Sequence, residues 1–112
     1  MLSFKRDQNK RTRTYVEEAF RLIQEKPDVA DTMILNSQGN PIKTSMEPNL
    51  SIQYAGLFEI LRDKVTIGIQ KIHPGDELLM LRVRTTSNEI IMVPDGKITA
   101  LVIQKAQDRF NA

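Results

Sequence analysis

The sequence has 112 residues, of which 40% are hydrophobic and 27% are charged, and its formal net charge is +2. A chain of this length suits a single domain whose core needs neither disulfides nor a structural metal. It contains no cysteine and one histidine, which excludes thiolate nucleophiles, disulfide frameworks, cysteine-ligated metal centres and multi-histidine metal sites.

The basic residues are concentrated at the N-terminus. Residues 1–14 carry five basic residues and one acidic residue, a net charge of +4, whereas the remainder carries 11 basic and 13 acidic residues, a net charge of −2. We expect residues 1–14 to form a solvated, disordered extension. Nucleic-acid binding by this segment is the alternative, but no aromatic side chains alternate with its charges to stack on bases.

The sequence contains no recognisable export or membrane signal. The N-terminus lacks the apolar stretch of a secretory signal, and no run approaches the roughly 18 apolar residues that span a bilayer. Because the chain also lacks cysteine, we expect it in the reducing cytoplasm and expect no membrane partner.

The first predicted helix runs from about Tyr15 to Lys26. Thr14 and Glu17 have the spacing of a capping box, in which each side chain bonds the backbone N–H of the other residue. An apolar face follows at helical spacing, and Pro27 ends the pattern. This face consists of Val16, Ala19, Phe20 and Ile23.

Two strands joined by a tight turn follow. Thr32–Leu35 is too short for a helix and is predicted as a strand, and Pro41–Met46 alternates as a returning strand does. Between them, Ser37–Asn40 has the composition of a turn in which Gly39 is free to adopt a positive φ. The pattern predicts a β-hairpin.

A long second helix is predicted to begin at a cap on Asn49 or Ser51 and to end near Ile72, before His73. It has two apolar stripes, whereas a surface helix needs only one, so we expect one stripe to contact the chain's own sheet and the other a partner. The spacing does not settle which stripe faces the partner. The broad stripe is Leu50, Tyr54, Leu57, Phe58, Leu61, Val65 and Ile69, and the narrow one is Ile52, Ile60 and Ile67, beside Gly56.

Three more strands complete the prediction: Glu77–Arg84, Glu89–Val93 and Ile98–Gln104. Short connections within each group of strands favour antiparallel pairing. We therefore predict an α+β fold with the order α-β-β-α-β-β-β, a five-stranded antiparallel sheet and helices on both faces. The domain covers residues 15–105, and residues 106–112 form a tail.

The residues give little support for catalysis. His73 is the one candidate for acid–base chemistry near neutral pH, and its place at a helix end favours a capping role. The five glycines do not cluster into a phosphate-binding loop. We therefore predict no catalytic residue, cofactor or metal, and a self-associating or partner-binding module.

Several short motifs, in order and spacing, resemble the roadblock family of dynein light chains over about residues 15–105. The opening hairpin Ile34–Lys43 has an apolar strand, a glycine turn and then Pro-Ile-Lys. The other motifs are Gln53-Tyr54-Ala55, Leu81-Arg82-Val83-Arg84, Asn88-Glu89-Ile90, Pro94-Asp95 and Leu101-Val102-Ile103-Gln104.

The resemblance implies a homodimer, or a heterodimer with a paralogue, in which the second helices pack together and the third strands pair into one continuous sheet. It implies a non-catalytic accessory light chain that binds the dynein intermediate chain in microtubule-based transport, in the cytoplasm or an axoneme. The alternative is a roadblock-like scaffold that binds or regulates a small GTPase. The dimer contacts that the resemblance implies are Tyr54, Leu57, Phe58, Leu61, Val65, Leu79, Leu81 and Val83.

Overall fold

A computed structural model describes the backbone of residues 2–106 and the side-chain surroundings of residues 13–106. Within that range the helices and strands follow the predicted order α-β-β-α-β-β-β. The elements are α1 (Leu2–Gln24), β1 (Val29–Leu35), β2 (Pro41–Thr44), α2 (Pro48–Ile72), β3 (Leu81–Arg84), β4 (Asn88–Asp95) and β5 (Ile98–Lys105).

The strands form one antiparallel sheet in the spatial order β2-β1-β5-β4-β3. β5 lies at its centre, and the register places Leu101 opposite both Met33 of β1 and Met92 of β4. All three side chains are fully buried, so they form a row of core residues across the sheet. β2 and β3 are its two edges.

The two helices cover opposite faces of the sheet. Successive side chains of a strand point to opposite faces of the sheet. In β1, Met33 packs in the cluster that contains Phe58 of α2. Its neighbour Ile34 packs instead with Val16 of α1. The predicted fold class, a five-stranded antiparallel sheet with helices on both faces, is confirmed.

The first helix is longer than predicted. It begins at Leu2 rather than near Tyr15, so the predicted capping box is wrong: Thr14 lies inside the helix. Residues 2–14, predicted as a disordered extension, are the beginning of α1. The physical reason is that this segment has no glycine or proline to interrupt a helix and is rich in lysine and arginine, which favour helices.

The second helix begins with a cap that the sequence did not predict. The Glu47 side chain accepts hydrogen bonds from the backbone N–H groups of Asn49 and Leu50, at 3.0 and 3.1 Å. Pro48 takes the first helical position, where its missing N–H costs nothing, and it favours an extended conformation at Glu47. Ser51, one of the predicted caps, is instead buried inside the helix.

β3 is shorter than the predicted strand Glu77–Arg84, because it begins at Leu81. Its register with β4 pairs Leu81 with Met92, which would place Leu79 opposite Pro94. A proline has no N–H with which to continue the ladder. Residues 77–80 therefore leave the sheet before β3 begins.

The predicted hairpin is confirmed. Gly39 has φ +82° and its N–H donates to the Asn36 carbonyl at 3.0 Å. β2 ends two residues earlier than predicted, at Thr44, whose hydroxyl accepts from the Met46 N–H at 3.0 Å. The predicted C-terminal tail, residues 106–112, lies outside the described residues except for Ala106.

Candidate functional site

The two edges of the sheet differ in how readily another strand can pair with them. β2 begins with Pro41, and its Lys43 ammonium group lies 2.8 Å from the Glu17 carboxylate and 4.9 Å from the centre of the Phe20 ring. The proline is the feature of β2 that discourages strand addition and that β3 lacks. This edge is protected.

β3 has no proline, and its backbone is open on the side away from β4. Leu81 and Val83 face inward and pack, half-buried, against the core beneath α2. Arg82 faces the other way and forms an ion pair with Glu89 of β4, so its charge is matched within the chain. An edge of this kind can accept a second strand through its main-chain hydrogen bonds.

An apolar groove lies beside this open edge, between α2 and the β3–β4 hairpin. Its cavity volume is about 370 Å³. The rings of Tyr54 and Phe58 are stacked along it, with their centroids 6.5 Å apart. The groove is lined by Leu50, Gln53, Tyr54, Leu57, Phe58, Leu61, Val83, Thr85 and Ile90.

The structure brings most of the predicted dimer contacts together at this place. Leu81 packs against the same core, from the strand that forms the groove's wall. Val65 lies half-buried one turn beyond the groove on α2. Leu79 is 75% exposed and lines a different depression, before β3 begins. The predicted contacts that line the groove are Tyr54, Leu57, Phe58, Leu61 and Val83.

Two neighbouring residues of α2 have different roles in this groove. Phe58 is 1% exposed, so it forms the floor and belongs to the chain's own core. Leu57 is 52% exposed and stands at the rim. Of the two, Leu57 is the side chain that offers apolar surface to a partner.

Four lining residues were not among the predicted contacts. Leu50 could have been found, because it precedes Tyr54 by one helical turn on the same stripe. Gln53 is polar and is adjacent to that stripe. Thr85 and Ile90 reach the groove only through the β3–β4 register, which the residue pattern does not give.

The structure also separates the two stripes of α2. The broad stripe, containing Leu57 and Leu61, lies over the groove and beside β3. The narrow stripe points away from the sheet and leaves Ile52, Ile60 and Ile67 exposed by 64, 56 and 55%. The stripe that packs against the chain's own sheet, next to the open edge, is therefore the broad one.

The chemistry available in the groove is apolar packing. Its lining contains no carboxylate, histidine or lysine. Among residues 13–106, whose side-chain surroundings are described, no group of three acidic or histidine side chains is placed to hold a metal ion. His73, the candidate acid–base residue, is the C-cap of α2, and it acts there through its backbone N–H, which donates to the Ile69 carbonyl at 2.7 Å.

One titratable group of α1 forms a hydrogen bond with the end of β4. The Tyr15 hydroxyl donates a hydrogen bond to the carboxylate of Asp95, the last residue of β4. That hydrogen bond and the negative charge of Asp95 raise the pKa of Tyr15 above its ordinary value. Neither α1 nor α2, over the part of the chain that is described, has the length and hydropathy needed to cross a bilayer.

A protein-family model described as the Roadblock/LC7 domain matches residues 15–105 of this chain. That range begins inside α1 and ends with β5, so it takes in the whole sheet, α2, the groove and the open edge.

The fold is also similar to solved structures. A Roadblock/LC7 domain from Streptomyces avermitilis superposes with a TM-score of 0.67 at 15% identity, covering 75% of this chain and 72% of that one. Myxococcus xanthus MglB superposes with a TM-score of 0.52 at 13% identity, covering 74% of this chain and 69% of that one. At such low identity the likeness concerns the fold.

Proposed function

The chain belongs to the Roadblock/LC7 domain family, and from this premise we propose that it is a non-catalytic subunit that dimerises and binds the intermediate chain of a dynein motor. Its work in this proposal is to hold two partner chains side by side in microtubule-based transport. The place of action is the cytoplasm, on the cytoskeleton.

The observation that carries the proposal is that β3 is at once an open edge and a wall of the apolar groove. Two copies related by a two-fold axis pair their β3 strands antiparallel and make one continuous sheet. The same axis brings Leu57 of each copy toward the groove of the other. One self-complementary contact then covers both the unpaired backbone and the exposed apolar surface.

The composition of the groove supports a binding role rather than catalysis. A catalytic pocket needs groups that transfer protons, attack or stabilise charge, whereas this lining is built from aliphatic and aromatic side chains with Gln53 and Thr85 at its margins. Surface of this kind is typical of the packed centre of protein–protein interfaces.

A dimer gives the proposed subunit its value to a motor complex. Two identical sites on one rigid body bind two intermediate chains, and the second binding event occurs at the raised effective concentration that linkage provides. The similarity of Ile34–Lys43 and the later motifs to dynein light chains is what favours the intermediate chain as partner.

The test is affinity purification of the tagged full-length chain from cells, followed by mass spectrometry of the captured proteins. We expect the wild type to capture dynein intermediate chains. Leu57→Asp should capture far fewer of them, because this substitution should leave a monomer that cannot hold two intermediate chains at once. Ile42→Asp, on the protected β2 edge, is the matched control and keeps the partner. Capture of small GTPases without dynein chains would replace this function by a GTPase-binding one.

A further inference from the structure

The turn between β3 and β4 carries three neighbouring hydroxyl groups. Thr85, Thr86 and Ser87 follow one another directly after β3, and all three residues are exposed. The Thr85 hydroxyl is committed to the turn, because it accepts from the Asn88 N–H at 3.1 Å and donates to the Asn88 carbonyl at 3.2 Å. The hydroxyls of Thr86 and Ser87 form no hydrogen bond with any described residue.

Two arginines precede Ser87 on the outward face of β3. Arg84 lies three residues before Ser87 and Arg82 lies five residues before it. Alternate residues of a strand point to the same face, and both arginines are exposed. Arg82 is paired with Glu89, yet 55% of its side chain stays exposed, and the Arg84 Nε donates to the Thr85 carbonyl at 3.2 Å. Two guanidinium groups on extended chain therefore lead to an unbonded hydroxyl.

This arrangement is suited to recognition by an arginine-directed serine kinase. Such an enzyme selects substrates by charge, since carboxylates in its substrate groove pair with arginines that precede the acceptor. β3 supplies the extended conformation, and its open edge leaves the backbone accessible on one side. In the proposed dimer that edge is covered, so the kinase acts on the free chain.

We propose that Ser87 is a phosphorylation site whose modification opposes pairing of β3 with a second copy. The γ-phosphoryl group of a nucleoside triphosphate moves to the Ser87 Oγ. A P–O bond forms there, the bond between the γ-phosphorus and its bridging oxygen breaks, and the hydroxyl proton passes to the base of the kinase. The products are phosphoserine and the nucleoside diphosphate. This inference rests on the proposed function, because it regulates the dimer that the function requires.

The effect on the dimer follows from where the turn lies relative to the second copy. Antiparallel pairing centred on the 4 residues of β3 brings Ser87 of one copy level with Leu78 of the second copy. Asp76 and Glu77 come directly before Leu78, are exposed, and form no ion pair with any described residue. A phosphate brings about two negative charges, so it lies beside these carboxylates and repels them.

The first test is phosphorylation of the full-length protein by a purified arginine-directed serine kinase with Mg²⁺ and ATP. Mass spectrometry maps the modified position. We expect phosphate on Ser87 of the wild type, and faster incorporation in Leu57→Asp, because the monomer leaves β3 open. Arg84→Gln should lower the initial rate by about tenfold or more, since a charge-assisted hydrogen bond to the kinase is lost. Lys97→Gln, on the turn between β4 and β5, is the matched control and should leave the rate unchanged.

The second test measures the dimer in protein that carries phosphoserine at position 87, installed during synthesis so that access of the kinase plays no part. Sedimentation velocity should show a dimer dissociation constant raised by about tenfold or more over that of the unmodified chain. Asp76→Asn with Glu77→Gln removes the opposing charges and should restore most of the affinity in the phosphorylated protein. Ser87→Ala is the control, which should dimerise as the wild type does.

Three results decide the proposal. No incorporation in either protein, or incorporation on Thr85 or Thr86 in place of Ser87, would overturn the site. A phosphorylated protein that dimerises as tightly as the unmodified one would overturn its effect on pairing. An unmodified wild type that is monomeric, but takes up phosphate on Ser87 in a manner that depends on Arg84, would contradict the proposed dimer and leave the site standing, so the two failures are distinguishable.

Discussion

Two adjacent residues of α2 lie in different places, one in the core and one at the surface. Phe58 lies among Met33, Met92 and Leu101 in the core, whereas Leu57 faces solvent at the rim of the groove. A helix turns by about 100° per residue, so neighbours in sequence point in different directions. The stability of the chain and its capacity to bind therefore depend on different side chains of the same turn.

Substitution of Phe58 by alanine should destabilise the fold strongly. Removing a fully buried phenylalanine loses its apolar burial and leaves a cavity, at a cost of about 3–5 kcal/mol in the free energy of unfolding. Urea denaturation followed by circular dichroism measures this change. Ile52→Ala, on the exposed side of the same helix, is the matched control and should shift stability by about 0.5 kcal/mol or less.

The sequence predicts which residues share one face of α2, but not which of them are buried. The residue pattern correctly places Tyr54, Leu57 and Phe58 on one stripe, because helical periodicity is local. It cannot separate Phe58, which is buried, from Leu57, which is exposed, because that difference depends on where the sheet lies. Ile90 reaches the groove through strand register, which is not a local property.

At the scale of elements, the ends of helices and strands were harder to predict than their existence. The order and type of the elements follow from periodicity, whereas the start of α2 depends on Glu47 and Pro48 acting together. Glutamate is not among the residues most favoured as an N-cap, so the sequence predicts a cap at Asn49 or Ser51 instead. The apolar residues before Leu81 predict an earlier start of β3, but Pro94 on the neighbouring strand cannot continue the ladder there.

Removal of the α2 cap should weaken the fold by a moderate amount. Glu47→Ala takes away the acceptor for the N–H groups of Asn49 and Leu50, and loss of a helix cap costs about 0.5–2 kcal/mol. The midpoint of urea unfolding should fall without a change in the slope. Glu77→Ala removes an exposed carboxylate that caps no helix and should leave the midpoint in place; equal effects of the two substitutions would contradict the capping role.

Hydrogen exchange of the edge strands tests which edge is paired in solution. If β3 pairs with a second copy, the amides of Leu81–Arg84 that point away from β4 are protected in the wild type. They should exchange rapidly in Leu57→Asp, while the outward amides of β2 exchange rapidly in both proteins. NMR measures this exchange residue by residue. Equal exchange rates at the outward amides of β2 and β3 in the wild type would contradict pairing through β3.

At the scale of the whole molecule, the groove beside α2 and the open edge at β3 lie next to each other. Because the edge at β2 is protected and the edge at β3 is open, a further strand can pair with the sheet more readily at β3. The groove beside β3 adds apolar surface at the same place. The lack of reactive side chains in the groove fits a subunit that works by packing.

Sedimentation velocity of the wild type, Leu57→Asp and Ile42→Asp at micromolar concentration tests the central claim most directly. The wild type and Ile42→Asp should sediment at twice the chain mass of 12.8 kDa, and Leu57→Asp should sediment as a folded monomer with an unchanged circular dichroism spectrum. A monomeric wild type, or a Leu57→Asp protein that remains dimeric, would contradict dimerisation through β3 and the groove.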